Sequence, residues 1–325
     1  MATFVQTYFM KRPAHLKKGD TVYLLNIARK GVYNTEFVTR TFDDWGLRTI
    51  VGETISDGGF CQFSASSEVR LRDLQNALDD DRIKAIFFLR GGYGTVQILD
   101  KLNFSRFTDH PKWLVGFSDI TYLHAHINRN FGIETLHGTM LFGFQTASPA
   151  DLRSMRKLLF EPTSEFTFGG LENHKIADVK GEIVGGNLSI LHTVIGTRSD
   201  LETYGKILFI EDTYENLMSI ERMLYAMKRS GKFDKLKALL VGDFIIPIKD
   251  NETSNCMVAE FPEPDEHTIE KAFRIMLLNF FAEYDFPIVF GLPIGHRPDR
   301  NIALNFGRTA NLAMTDMELT LEYKI

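Results

Sequence analysis

The alternation of short apolar runs with amphipathic segments through the first half of the chain constrains the fold more than any other feature. "TVYLLN" (21–26), "LRTIVG" (47–52), "IKAIFFL" (83–89), "WLVGF" (113–117) and "IETLHG" (133–138) have the length and composition of strands. Between them lie helix-like segments. "NTEFVTRTFDDW" (34–45) begins with Asn34 as its cap, and "SSEVRLRDLQNALDD" (66–80) begins with Ser66 or Ser67. "TVQILDKL" (95–102) is a shorter one, and the segment after Ser118 is closed by Gly132. Strands separated by helices predict an α/β fold with a mainly parallel sheet covered on both faces.

At 325 residues the chain is longer than one core usually serves. The rhythm changes after about residue 145 in a Pro-, Ser- and Gly-bearing stretch. The expected division is an N-terminal domain over 1–150, a linker over 151–174 and a second, smaller α/β domain over 175–325. The second half supplies "KILFIED", "KALLVGD" and "PIVFGLP" as strands, with helices around "ENLMSIERMLYAMKRSG" and "TIEKAFRIMLLNFFAEY". Three short β-like pieces, "NIALNFG", "ANLAMT" and "ELTLEYK", follow, and 247–267 reads as a polar surface excursion. Net charge is −5 with the signs interspersed, which leaves no footprint for nucleic acid or an acidic membrane. The two cysteines, Cys61 and Cys256, lie far apart without zinc-like spacing. With no leader-like start and no apolar run of about eighteen residues, a cytoplasmic protein is expected.

In open parallel sheets, ligands bind beyond the carboxyl ends of the strands. Four such ends carry unusual residues: "FLRGGYG" (88–94), "GFSDI" (116–120), "FIEDTYE" (209–215) and "GLPIGHRPDR" (291–300). Ser118 sits at a strand-to-helix turn, which suits either a nucleophile or a helix cap; Asp119 in the first turn would complement the helix dipole. The glycines after Arg90 let backbone approach a ligand and present N–H groups to developing negative charge. Arg90 and Tyr93 could donate to a carboxylate. Among nine histidines, His296 is the candidate base, and His137 at a strand end could line the cleft. Asn187 is a further candidate substrate contact. Glu211, the first acid after an apolar strand, is the candidate to orient the base, with Asp212 as its rival.

In order along the chain, "LRGGYG", "LVGFSDITYLH", "HGT", "GEIVGGNLSIL", "KILFIEDTYENLMSIERML", "LVGDF" and "GLPIGH" resemble the LD-carboxypeptidase family of serine peptidases, which also contains microcin-immunity-type hydrolases. The resemblance implies Ser118 as nucleophile, Glu211 as orienting acid and His296 as base, with an oxyanion hole from the backbone N–H groups of Gly92 and Asp119. It also implies an active site in the interdomain cleft and a homodimer, with neither metal nor organic cofactor. The expected activity is release of terminal D-alanine from murein tetrapeptides by cutting an L-to-D bond. Hydrolysis of acyl- or peptidyl-nucleotide amides is the alternative within the family, and a non-catalytic two-domain binding protein the alternative outside it. "RGGYG" favours the murein branch; "HGT" stands where "HGP" is commoner.

Overall fold

The computed structural model describes residues 10–56, 59, 61–248 and 265–324. The proposed excursion at 247–267 therefore lies almost wholly outside the described residues, as do Cys256 and the first nine residues. In chain order the strands are β1 (Thr21–Leu25), β2 (Arg48–Val51), β3 (Ile83–Phe88), β4 (Trp113–Gly116), β5 (Thr135–His137), β6 (Ser164–Gly169) and β7 (Glu172–His174). They continue with β8 (Val179–Asn187), β9 (Ile207–Thr213), β10 (Ala238–Ile245), β11 (Ile288–Phe290), β12 (Leu304–Phe306), β13 (Thr309–Met314) and β14 (Glu318–Tyr323).

Two mixed sheets account for these strands. In the first, β2, β1, β3, β4 and β5 run parallel in that spatial order. The order reverses direction between β1 and β3, and that switch point opens a crevice at the carboxyl ends of the strands. Burial explains the unbroken apolar runs. All of β4 is buried, and in β3 Ile86 and Phe88 face one apolar cluster while Ala85 and Phe87 face the other. Local signals fix the helix starts: Asn34 accepts from the Phe37 N–H at 2.9 Å, and of the two candidate serines it is Ser66 that caps.

The second sheet has β8, β9, β10 and β11 parallel at its centre. Antiparallel β13, β14 and β6 extend it on one side and β7 on the other. Two expectations are corrected here. The stretch 151–174 is not a free linker, because it continues the helix Pro149–Phe160 and then forms edge strands β6 and β7. Its Ser-Pro start is a helix N-terminus in which Ser148 and Asp151 form a capping box, and Gly169–Gly170 turn the chain between strands. The piece "NIALNFG", assigned to the second half, supplies β12, which returns to the first sheet antiparallel to β5. Periodicity marks a strand without naming its partner, so neither destination could be read locally.

The junction of the two sheets positions the site. Both apolar clusters contain residues of both sheets, so packing runs across the junction. The helix Thr121–Phe131, which follows Ser118, lies against β8, and the Thr121 hydroxyl accepts from the Asn187 N–H at 3.1 Å. A side chain at Gly186 would sit 2.5 Å from that hydroxyl, so only glycine permits the contact. Among the described residues no helix is long and apolar enough to cross a membrane.

Candidate active site

Ser118 follows β4 with φ of 60°, a left-handed conformation unusual for a residue bearing a side chain. It opens a short 3-10 turn, Ser118–Ile120, that leads into the helix Thr121–Phe131. The residue in the capping position is Phe117, so the Ser118 hydroxyl is not spent as the helix cap. Such a strained turn lifts a side chain off the end of the sheet. Gly91, at the end of the neighbouring strand, makes room for it. A Cβ there would stand 2.9 Å from Ser118 Cβ and 3.0 Å from its Oγ.

The two turns are tied together by Asp119. Its buried carboxylate accepts from the Thr95 N–H at 2.9 Å and from the Thr95 hydroxyl at 2.7 Å. Burial pushes its pKa up, against the opposing effect of the Thr95 hydrogen bonds. The side chain expected to complement the helix dipole thus serves to lock "RGGYGT" against "GFSDI".

Glu211 and His296 meet across the second sheet. His296 Nδ1 lies 2.6 Å from Glu211 Oε2, with Glu211 wholly buried at the end of β9. Burial alone would lower the histidine pKa. The charge and hydrogen bond of Glu211, with the charges of Asp212 and Asp243, outweigh burial and leave it above the ordinary imidazole value. Asp212 has different work. It accepts from Asn187 Nδ2, the Ser189 N–H and the Ser189 hydroxyl at 2.9, 2.8 and 2.7 Å, pinning the start of the helix Leu188–Thr193. Burial and the neighbouring Glu211 charge raise its pKa to about 6. Glu211, and not Asp212, bonds the imidazole.

Ser118 and His296 line one cavity of about 490 Å³, a size suited to a small ligand. Arg90, Gly92 and Asn187 line it too. The Asn187 amide is already engaged, since it caps the helix Leu188–Thr193 and donates to Asp212. Tyr93 and His137 do not reach the cavity. Tyr93 is half-exposed with its ring against Phe63, at a centroid distance of 6.1 Å. His137 is fully buried among the rings of Phe117, Phe209 and Phe306, where burial holds it neutral with a pKa well below the ordinary value. It stands behind Phe117, whose ring packs on His296 at 4.8 Å.

Sequence reasoning passed over three contributors. Arg29 lies on the cavity wall just past β1, in "NIARKG", a strand end that the same carboxyl-edge rule reaches. Asp243, at the end of β10, lies within 3.7 Å of Arg297 and 3.5 Å of Arg300, on either side of the His296 loop. Asp151 accepts from the Asn301 N–H at 3.0 Å, and Asn301 Oδ1 accepts from the Gly295 N–H at 3.2 Å. No local pattern announces such a bridge. Among the described residues no group of three or more His, Cys, Asp or Glu side chains is arranged to hold a metal ion.

Comparison with known proteins places this geometry in context. Residues 26–138 match the family model for the LD-carboxypeptidase N-terminal domain, and residues 180–312 match that for its C-terminal domain. A probable murein peptide carboxypeptidase of Bacillus subtilis is 33% identical over 303 residues, covering 90% of this chain and 92% of the relative. A murein tetrapeptide carboxypeptidase of Pseudomonas aeruginosa is 33% identical over 257 residues, covering 75% and 77%. The crystal structure of muramoyltetrapeptide carboxypeptidase from Oxalobacter formigenes superposes with a TM-score of 0.78 at 25% identity, over 94% of this chain and 99% of that one. A microcin C7 self-immunity protein shares the fold, with a TM-score of 0.80 at 20% identity over 96% and 99%.

Proposed function

The chain belongs to the LD-carboxypeptidase family, and from that premise we propose that it is a serine carboxypeptidase releasing terminal D-alanine from murein tetrapeptides. The observation that carries the mechanism is the buried Glu211–His296 pair opening onto the cavity that also holds the strained Ser118. His296 Nδ1–H donates to Glu211, which leaves Nε2 as the free base. Nε2 takes the Ser118 proton as Oγ attacks the carbonyl before the D-residue. The backbone N–H groups of Gly92 and Asp119 hold the oxyanion. Collapse breaks the C–N bond, and the imidazolium protonates the departing D-alanine amine. Water, deprotonated by His296, then hydrolyses the acyl-serine and restores the hydroxyl.

The names of the murein-active relatives support the substrate class, and the B. subtilis relative covers nearly the whole chain. The test incubates the protein with disaccharide-tetrapeptide and follows the loss of one alanine by mass spectrometry. Tripeptide should form from the L,D-substrate and not from its all-L analogue, and Ser118→Ala should abolish it. Turnover that survives Ser118→Ala refutes the serine mechanism. Preferential cleavage of an acyl-nucleotide amide refutes the substrate assignment. The homodimer and the cytoplasmic location implied by the resemblance are part of the same proposal, the former open to light scattering and the latter to fractionation.

A further inference from the structure

Arg29 and Arg90 stand together on the cavity wall beside the glycine turn that faces Ser118. The Arg90 guanidinium lies over the Phe142 ring, 4.7 Å from its centroid. Arg29 packs its stem where a Gly92 side chain would stand, and its N–H donates to the Gly91 carbonyl at 3.3 Å. The acids that share the cavity are Asp151, Asp212, Glu215 and Asp299. None of them forms an ion pair with either arginine among the described residues. Asp151 and Asp212 are occupied by backbone and side-chain donors. Elsewhere in the chain guanidinium groups have carboxylate partners: Arg12 with Glu134, Arg72 with Glu53 and Arg297 with Glu266 and Glu270.

Two like charges facing one cavity repel each other, and partial burial weakens the solvation that would screen them. Burial first, and Arg29 second, lower the Arg90 pKa; no acid offsets them. An arrangement that costs energy in the free protein becomes favourable when an anion enters between the two forks, since guanidinium groups pair with carboxylates through two parallel hydrogen bonds.

We propose that Arg29 and Arg90 form a carboxylate subsite that grips the free C-terminal carboxylate of the leaving residue, so that the enzyme removes only a terminal residue. This assignment rests on the reading of the site as a carboxypeptidase. The pair lies next to the turn that supplies the oxyanion N–H of Gly92, and in a peptide the terminal carboxylate is separated from the scissile carbonyl by a single residue. Arg29 is thereby a specificity-determining residue with no role in proton transfer. An internal peptide bond, or an amidated terminus, offers the two arginines no charge and leaves them unpaired.

The test compares the L,D-tetrapeptide with its C-terminal amide for wild type, Arg29→Gln and Arg90→Gln. Wild type should prefer the free acid by at least about a hundredfold in kcat/KM, and each variant should lower that preference at least about tenfold, mainly through KM. Binding of N-acetyl-D-alanine and of its amide, followed by calorimetry, supplies an arm independent of turnover. The acid should bind wild type and bind each variant at least about tenfold more weakly. An acid-to-amide ratio unchanged in variants that melt like wild type overturns the subsite. If no murein peptide is cleaved, the catalytic reading fails on its own, and the calorimetric arm still decides the subsite. Equal binding of acid and amide to wild type overturns it.

Discussion

Replacing Glu211 with glutamine keeps the shape of the acid and removes its charge. The pair is buried, with Nδ1 and Oε2 2.6 Å apart, so solvent screens it poorly. With charge centres about 4 Å apart and an effective dielectric constant of about 20, the attraction to a fully formed imidazolium is about 4 kcal/mol. That attraction is absent from the neutral ground state and present in the transition state, where His296 holds the Ser118 proton. Its loss should reduce kcat by roughly a thousandfold. The pH profile provides an internal check. In the wild type the Glu211 charge helps hold the His296 pKa above its ordinary value against burial. Without that charge burial dominates, so the acid limb of kcat/KM should move to lower pH as the plateau falls. Steady-state kinetics of D-alanine release from pH 5 to 9, with melting curves alongside, read both effects. A Glu211→Gln enzyme that keeps kcat within tenfold of wild type refutes the reasoning. So does an acid limb that moves upward.

The neighbouring acid should behave oppositely. Asp212→Asn disturbs three hydrogen bonds at the start of the helix Leu188–Thr193 and should cost about 2–3 kcal/mol of stability, read by urea unfolding, with kcat at low temperature far less affected than in Glu211→Gln. Gly91→Ala drives a methyl into Ser118 and should lower kcat at least about a hundredfold through displacement of the nucleophile, while circular dichroism stays unchanged. Ser118→Gly relieves a left-handed residue and should raise stability by about 1 kcal/mol while abolishing turnover; an unchanged or lowered melting temperature counts against stored strain at this turn. Burial lowers the pKa of His124 and of His126 to about 4. Stability from keeping each neutral is complete above the unfolded value of 6.5 and is lost as pH falls towards 4, about 3 kcal/mol per histidine at the acid end. The melting temperature should therefore fall across that window, and His126→Gln should flatten the fall.

The sequence made the strands of the first sheet legible because β3 and β4 are buried on both faces and read as unbroken apolar runs. Caps such as Asn34 were legible because the side chain bonds its own helix three residues on. What could not be read is where a short strand goes, since the pairing of β12 with β5 depends on residues far apart in the chain. The same division governs the site. Ser118, Glu211 and His296 each stand at a strand end, where carboxyl-edge reasoning finds them one at a time. His137 stands at a strand end too, yet its ring turns into an aromatic cage, because period-two alternation names a face and not what lies beyond it. Arg29 was passed over although its position obeyed the rule, since an arginine before "KG" resembles a solvated turn until its missing counter-ion is seen. Absence of a partner is a property of three-dimensional neighbours. The same holds for the choice between Glu211 and Asp212. Adjacent on one strand, they point to opposite faces, one to an imidazole and the other to a helix start, and only the packed fold says which face holds the histidine.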